Sequence, residues 1–395
     1  MSFHYSFSLS LTHSLLLLLL LSPLAGATSL PLIGATYSAA TAGTHAHPPS
    51  PVRIAAAAAS LGLSSVRLDH PEPATVRAFL YSNTTLLLSV PNPLVPAMAA
   101  NRSSALQWLY ALVVPFFPRA RITTISVGND LLEALPEHSS SLLPAMENLH
   151  LALRDLGIRT ISVSTTFSFV NVVASFFPPS AAQFREPALG NVISPLLQFL
   201  RDTNSSFLIN VYPYNVYRTH GEIPIGYALF QGFDFGFRED VVTGVRYRNL
   251  FDVMVDAVIC AMAVSGHENI PVIVTETGWP SSSGDATEVD ANPAYAELYI
   301  RGLVKYLKSG AGTPLRKEGV AEAYIYELFD KEEKQGNGME MVTMAKQNRS
   351  WGILYPNMTK KYDIDFSGSI RVYVGRFDWL VILVGSLVFF ALFHV

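Results

Sequence analysis

Val272-Ile-Val-Thr-Glu-Thr-Gly-Trp-Pro-Ser281 is a run of β-favouring residues, apolar on both parities, that stops at Gly-Trp-Pro. Such a run suits a strand buried on both faces, as in a parallel sheet covered by helices. A carboxylate, Glu276, stands at its end. Working outward in both directions, similar short runs recur at Ile33–Tyr37, Ser65–Leu68, Leu86–Val90, Ile122–Val127, Thr160–Ser164, Phe207–Val211 and Ala323–Tyr326. With Val272–Thr275 they make eight. Helical stretches lie between them: Val52–Leu61, Pro73–Tyr81, Leu142–Leu156, the amphipathic run Asn249–Val264, and Pro293–Leu307. Pro73 suits a first helical turn, and the last three stretches repeat apolar residues every three or four positions. Eight strands alternating with helices predict an α/β chain closed into a (β/α)8 TIM barrel, a single domain over residues 28–367. The competing architecture is an open doubly wound sheet. No Gly-x-Gly-x-x-Gly follows any of the strands, which argues against its dinucleotide-binding form.

The ends read differently from the middle. Leu15 to Leu21 are consecutive leucines followed by Ala25-Gly26-Ala27, a pattern that predicts a signal peptide over residues 1–27. The alternative is an apolar helix opening the domain. From Trp379 to Val395 the chain is apolar apart from Ser386 and His394, and upstream lie Ser367-Gly368-Ser369 and a short spacer. Small triplet, spacer and apolar tail together predict a glycosylphosphatidylinositol (GPI) anchor signal over 368–395, with attachment at Ser367. A plain membrane helix is the other reading of that tail. Location on the outer face of the plasma membrane, or in the cell wall, follows from either.

The formal charge of −4 with 15% charged residues excludes a basic nucleic-acid surface. A single cysteine, Cys260, allows no internal disulfide, and its place in an apolar helical run marks an inert thiol. The ten histidines show no ligand spacing, so no metal and no cofactor is expected. Sequons at Asn83, Asn101, Asn204, Asn348 and Asn357 are expected surface glycosylation positions.

In a parallel barrel the chemistry sits at the C-terminal ends of strands. Two acids meet that criterion, Asp130 after Ile-Ser-Val-Gly-Asn and Glu276 after Val-Ile-Val-Thr. Glycoside hydrolysis needs such a pair, one carboxyl to protonate the leaving oxygen and one to attack or to activate water. Trp279, three residues past Glu276, offers an aromatic face for a sugar ring. Tyr212 and Tyr214 fit equally well as core aromatics at a strand end.

The chain resembles the plant glucan endo-1,3-β-glucosidases, glycoside hydrolase family 17, from about Ile33 to Phe366. The resemblance is carried in order by Ile-Gly-Ala-Thr-Tyr (33–37), Val-Pro-Asn (90–92), Val-Gly-Asn (127–129), Asn-Val-Tyr-Pro-Tyr (210–214) and Tyr-Ala-Leu-Phe (227–230). It continues through Asn-Leu-Phe-Asp (249–252), Glu-Thr-Gly-Trp-Pro-Ser (276–281), Gly-Thr-Pro (312–314), Leu-Phe-Asp (328–330) and Trp-Gly-Ile-Leu-Tyr-Pro (351–356). It implies a retaining hydrolase, a monomer, acting on internal bonds of a callose-like β-1,3-glucan, with Glu276 as nucleophile. It implies Tyr37, Asn129, Tyr212 and Trp279 in the cleft and Lys334 in a charged cluster around the nucleophile.

The departures fall near the chemistry. The family's acid/base glutamate is Asp130 here, shorter by one methylene as proton donor. The family's Tyr after Val-Arg-Leu is Asp69, its acid after Leu-Phe-Asp is Lys331, and a further glutamate aligns with Asn348. Two other expectations therefore stand beside the active hydrolase. One is a catalytically impaired barrel that binds β-1,3-glucan, and the other is a hydrolase or transglycosylase on a different β-glucan.

Overall fold

The computed structural model describes residues 30–38, 49–186, 188–232, 236–330 and 349–367. The proposed signal peptide, the GPI tail, Lys331, Lys334 and Asn348 lie outside these residues. Eight strands close into a parallel barrel: β1 (Leu32–Tyr37), β2 (Ser65–Leu68), β3 (Thr85–Val90), β4 (Arg121–Asn129), β5 (Ser162–Ser168), β6 (Phe207–Asn210), β7 (Val272–Thr277) and β8 (Glu322–Ile325). Each pairs in parallel with its sequence neighbours, and β8 pairs with β1 to close the ring. The (β/α)8 reading holds, and the open sheet is excluded.

The helices lie outside the ring: α1 (Pro51–Leu61), α2 (Pro73–Ala78), α3 (Arg102–Leu112), α4 (Leu142–Asp155), α5 (Ser194–Asp202), α6 (Leu250–Val264) and α7 (Pro293–Ser309). α1 shows the common logic. Pro51 opens it, where the missing N–H costs nothing, and Gly62 ends it at φ 73°. Its inward stripe is Ile54, Ala57, Ala58 and Leu61, at helical spacing. α6 corrects the expectation of an amphipathic helix: it is buried nearly all round, Asp252 and Asp256 included. The turn Pro179–Ala181 packs against it.

Inside the ring, Leu87, Leu208, Ile273 and Tyr324 from β3, β6, β7 and β8 form a separate apolar plug. Burial of each stabilises the barrel by on the order of 2 kcal/mol. β5 is the strand that differs most from expectation, running to Ser168 rather than Ser164. Thr165 and Thr166 are polar yet buried, and the Thr166 hydroxyl lies 2.9 Å from that of Ser126 on β4. Hydrogen-bonded hydroxyls can occupy a barrel interior that apolar patterning does not reveal.

Two irregularities aim side chains at the mouth. On β7, Val274 pairs with Ile209 but Glu276 pairs with the next residue, Asn210, so one extra residue sits in β7. This bulge turns both Thr275 and Glu276 towards the interior, while the Thr277 hydroxyl meets Tyr299 of α7 outside. On β4, the register slips between Ser126 and Asn129, and Gly128 there adopts φ 76°. A side chain is strained at that φ, which accounts for glycine in Val-Gly-Asn.

Candidate active site

Glu276 is 7% exposed and its carboxylate meets three donors from three parts of the barrel. The Arg67 guanidinium on β2 donates to Oε1. The Tyr212 hydroxyl, just after β6, donates to Oε2 at 2.6 Å. The Asn129 amide, ending β4, reaches Oε1 at 3.4 Å. Those donors are themselves held. Asn210 donates to Asn129 Oδ1 at 3.0 Å and accepts from Thr275 at 2.9 Å. The Asn129 backbone exchanges hydrogen bonds with the Asn92 side chain at 2.8 and 2.9 Å. Burial, then the Glu276 charge, keep the Tyr212 phenol protonated well above the usual tyrosine range.

Arg67 is fully buried, and a buried cation must be paired. It serves Glu276 and, through Nη2 at 3.1 Å, Asp69. Burial alone would push the Asp69 carboxyl up, but Arg67, His70 and Ser38 outweigh it and hold it at about 2. Arg67 is the residue sequence reading passed over. Its signal was a lone charge inside the otherwise apolar Ser-Val-Arg-Leu strand.

Asp130 follows β4 with φ 50° and ψ 45°, in the left-handed region. Aspartate enters that region more easily than most side chains. Its carboxylate accepts from Ser168 N–H at 3.3 Å and from Asn171 at 2.7 Å. Burial, with smaller contributions from Glu133 and Glu276, raises its pKa despite those two donors. A carboxyl raised by burial is suited to carry the proton of a general acid.

Around this pair the expected cleft residues divide. Asn129 and Tyr212 contact Glu276, as described. Tyr37 ends β1 at 9% exposure and packs edge-on against Phe329 at 6.2 Å. Trp279 is corrected: at 1% exposure it offers no face to a sugar. Its indole N–H donates to the Asp290 carbonyl at 2.8 Å, and its ring packs among Tyr214, Tyr217 and Tyr299. The aromatic that borders the site is half-buried Trp351, 5.2 Å from Tyr212 and 6.1 Å from Tyr326 between ring centroids. Gly278 makes room for it. A Cβ there would lie 2.6 Å from the Tyr326 carbonyl oxygen and 3.3 Å from the Trp351 ring. Three ion pairs brace the segment behind Trp351. Lys361 meets Asp330 at 2.7 Å, and Glu288 accepts from Arg349 at 2.5 and 2.7 Å and from Arg218 at 2.7 Å. The charge-assisted bonds from Arg349 hold the Glu288 carboxyl at about 2.

A cavity of about 270 Å³ opens beside Asn129, lined also by Asp69, His70, Ser89 and Asn92. Burial raises the Cys260 thiol to about 11, which agrees with an inert cysteine. Asn83, Asn101, Asn204 and Asn357 are all exposed. Among the described residues no cluster of His, Cys, Asp or Glu could hold a metal, and no helix is long and apolar enough to cross a membrane.

The family described as glycosyl hydrolases family 17 matches residues 40–366. Glucan endo-1,3-beta-glucosidase 12 of Arabidopsis thaliana is 33% identical over 81% of this chain and 58% of its own length. The chain spans 58% of that relative's length and 65% of that of probable glucan endo-1,3-beta-glucosidase A6 of Arabidopsis thaliana. Among solved structures, CJP38, a beta-1,3-glucanase and allergen of Cryptomeria japonica pollen, is 33% identical with a TM-score of 0.76. It covers 85% of this chain and 99% of its own. One of two plant beta-glucan endohydrolases described as having distinct substrate specificities is 30% identical, with a TM-score of 0.73, covering 84% of this chain and all of its own.

Proposed function

The chain belongs to glycosyl hydrolases family 17, and from that premise we propose that it is a retaining hydrolase cleaving internal 1,3-β-glucosidic bonds of a callose-like β-glucan. The observation that carries the proposal is Glu276, an acid at a barrel strand end fixed by Arg67, Tyr212 and Asn129, with Asp130 raised by burial at the same mouth. Glu276 attacks the anomeric carbon and Asp130 protonates the departing oxygen; Asp130 then takes a proton from the water that releases the glycosyl group. Trp351 and Tyr326 supply the aromatic border for a sugar, and the cavity beside Asn129 supplies polar partners for its hydroxyls. We place the enzyme on the outer face of the plasma membrane or in the wall, as a monomer. A signal peptide over 1–27, a GPI anchor at the exposed Ser367 and glycans on the sequons complete the reading.

Asp130 favours a second reading. Its carboxylate is bound on the β5 side, by Ser168 and Asn171, which would suit a slow enzyme or a barrel that only binds glucan. Reducing-sugar release from laminarin by the chain, beside Glu276→Gln, separates these. Turnover abolished by the substitution is expected. Turnover that survives it removes Glu276 from its role, and binding without turnover selects the second reading. Release from cells by a phosphatidylinositol-specific phospholipase tests the anchor, and retention on the membrane would overturn it.

A further inference from the structure

His70, Asp69, Arg67 and Glu276 form a line of alternating charge along the β2 side of the mouth. His70 Nδ1 lies 3.3 Å from Asp69 Oδ2, Asp69 Oδ1 lies 3.1 Å from Arg67 Nη2, and Arg67 Nη1 is bonded to Glu276 Oε1. Side-chain exposure rises along the line from 0% at Arg67 to 16% at Asp69 and 45% at His70. The Ser38 hydroxyl also donates to Asp69, at 3.2 Å. The cavity beside Asn129 reaches both Asp69 and His70, so the outer end of the line meets whatever fills the mouth.

One guanidinium here serves two carboxylates. A carboxylate that faces an undivided cation is stabilised as an anion and is a weaker nucleophile, whereas one that shares its cation is less stabilised. We propose that Asp69 and His70 are positioning residues that set how much of the Arg67 charge Glu276 receives: Asp69 draws it away, and protonated His70 hands it back. The inference rests on Glu276 being the nucleophile only for its catalytic meaning; the electrostatic coupling stands on the geometry alone.

The other titratable groups facing this line would not mask the effect. Tyr212, Tyr324 and Tyr326 are all held protonated, chiefly by burial. Asp130 acts on Glu276 from β4, and Glu72 acts on Tyr37. The hydrogen bond to Asp69 raises the His70 pKa, against burial, which favours the protonated imidazole beside Asp69.

The test is a direct titration. The full chain is labelled with ¹³C at its Glu side-chain carboxyls, and the Glu276 resonance is assigned by its loss in Glu276→Gln. In Asp69→Asn the Glu276 midpoint should fall by about one unit, because Arg67 no longer divides its charge. In His70→Gln it should rise by about half a unit, because Asp69 is no longer offset. In His70→Lys, a permanent cation at a half-exposed position, it should stay near the parent value. Shifts of opposite sign at adjacent residues do not arise from a shared loss of packing. Should Asp69→Asn fail to fold, the two His70 variants decide the matter alone. Equal midpoints in Gln and Lys, or shifts of one sign in Asp69→Asn and His70→Gln, would overturn the proposal. No turnover is needed, so an inactive protein would count against the hydrolase reading while leaving this one to its own result.

Discussion

Replacing Asp130 by glutamate sets rate against stability, and the structure gives a size for each. Residue 130 sits at φ 50° and ψ 45°. A glutamate has no short polar arm to ease that conformation, at a cost of on the order of 1 kcal/mol. The bonds from Ser168 at 3.3 Å and Asn171 at 2.7 Å would be lost or lengthened. That removes about a further 1–2 kcal/mol, so the melting temperature should drop by a few degrees. Against this, the added methylene carries the acid about one bond length further into the mouth. A misplacement of about 1 Å can cost on the order of a hundredfold, so recovering it should raise kcat on laminarin by roughly 10- to 100-fold. KM should hardly change, because proton transfer is felt only in the transition state. Asp130→Asn is the control. It should lower kcat on laminarin far more than on an aryl glucoside whose leaving group needs no proton. Calorimetry and steady-state kinetics on the same preparations read both effects. A Glu variant no faster than the parent, together with an Asn variant that keeps the parent's kcat, would refute Asp130 as the proton donor.

Tyr212→Phe removes the 2.6 Å bond to Glu276 Oε2; a bond to a charged group contributes about 1.5–3 kcal/mol, so kcat/KM should fall roughly 10- to 100-fold. A change within about twofold would show that Arg67 suffices. Gly278→Ala sets a methyl 2.6 Å from the Tyr326 backbone oxygen and should cost about 1–3 kcal/mol in urea unfolding; an unchanged midpoint would mean that the close approach relaxes freely. Burial raises the Asp252 carboxyl to about 7 and that of Asp256 to about 6. A raised carboxyl holds its proton more tightly folded than unfolded, so its contribution favours folding at low pH and is lost as pH rises towards 7. Asp69 and Glu288, held at about 2, stay ionised above pH 5 and add no slope there. His70, raised by Asp69, works in the same direction as the buried acids, while His150 and His267, lowered by burial, oppose it. The chain should melt higher at pH 5 than at pH 8, and Asp252→Asn should flatten that difference by at most about 3 kcal/mol. An Asn variant with the parent's full pH dependence would exclude Asp252 as its source.

The barrel was legible because burial on both faces writes short β-favouring runs, apolar on both parities and with abrupt ends, as in Val272–Thr277 and Thr85–Val90. The last residues of β5 were not legible, since Thr165 and Thr166 are buried yet read as polar, Thr166 with its hydroxyl bonded to that of Ser126. Glu276 was found because strand ends can be located from local pattern, and Asn129 through the family resemblance. The bulges that aim them are written only as Gly128 on β4, and leave no mark on β7 beyond the register itself. Arg67 needed knowledge of two carboxylates, one of them more than two hundred residues away in sequence. Trp279 misled because adjacency to an acid is one-dimensional. The chain turns at Gly278 and sends the indole into the layer between barrel and helices, where Tyr299 receives it. The aromatic at the border of the site is instead Trp351, flanked by the Glu288 and Lys361 ion pairs.

The two acids are built to different tolerances. Two of the three donors on Glu276 are tied by a further side-chain bond: Arg67 to Asp69, and Asn129 to Asn210, which Thr275 holds in turn. Displacing that carboxylate would disturb four strands at once, so substitutions in this half should move stability and rate together. Asp130 leans only on Ser168 and Asn171, neighbours at the end of β5. Adjustment there is local, so this half can lose or regain reach while the barrel stays intact. A shortened side chain is therefore accommodated more readily at position 130 than a displaced carboxylate at 276. A change in the loop after β4 should alter the reach of Asp130 at a modest cost in stability, leaving the barrel closed.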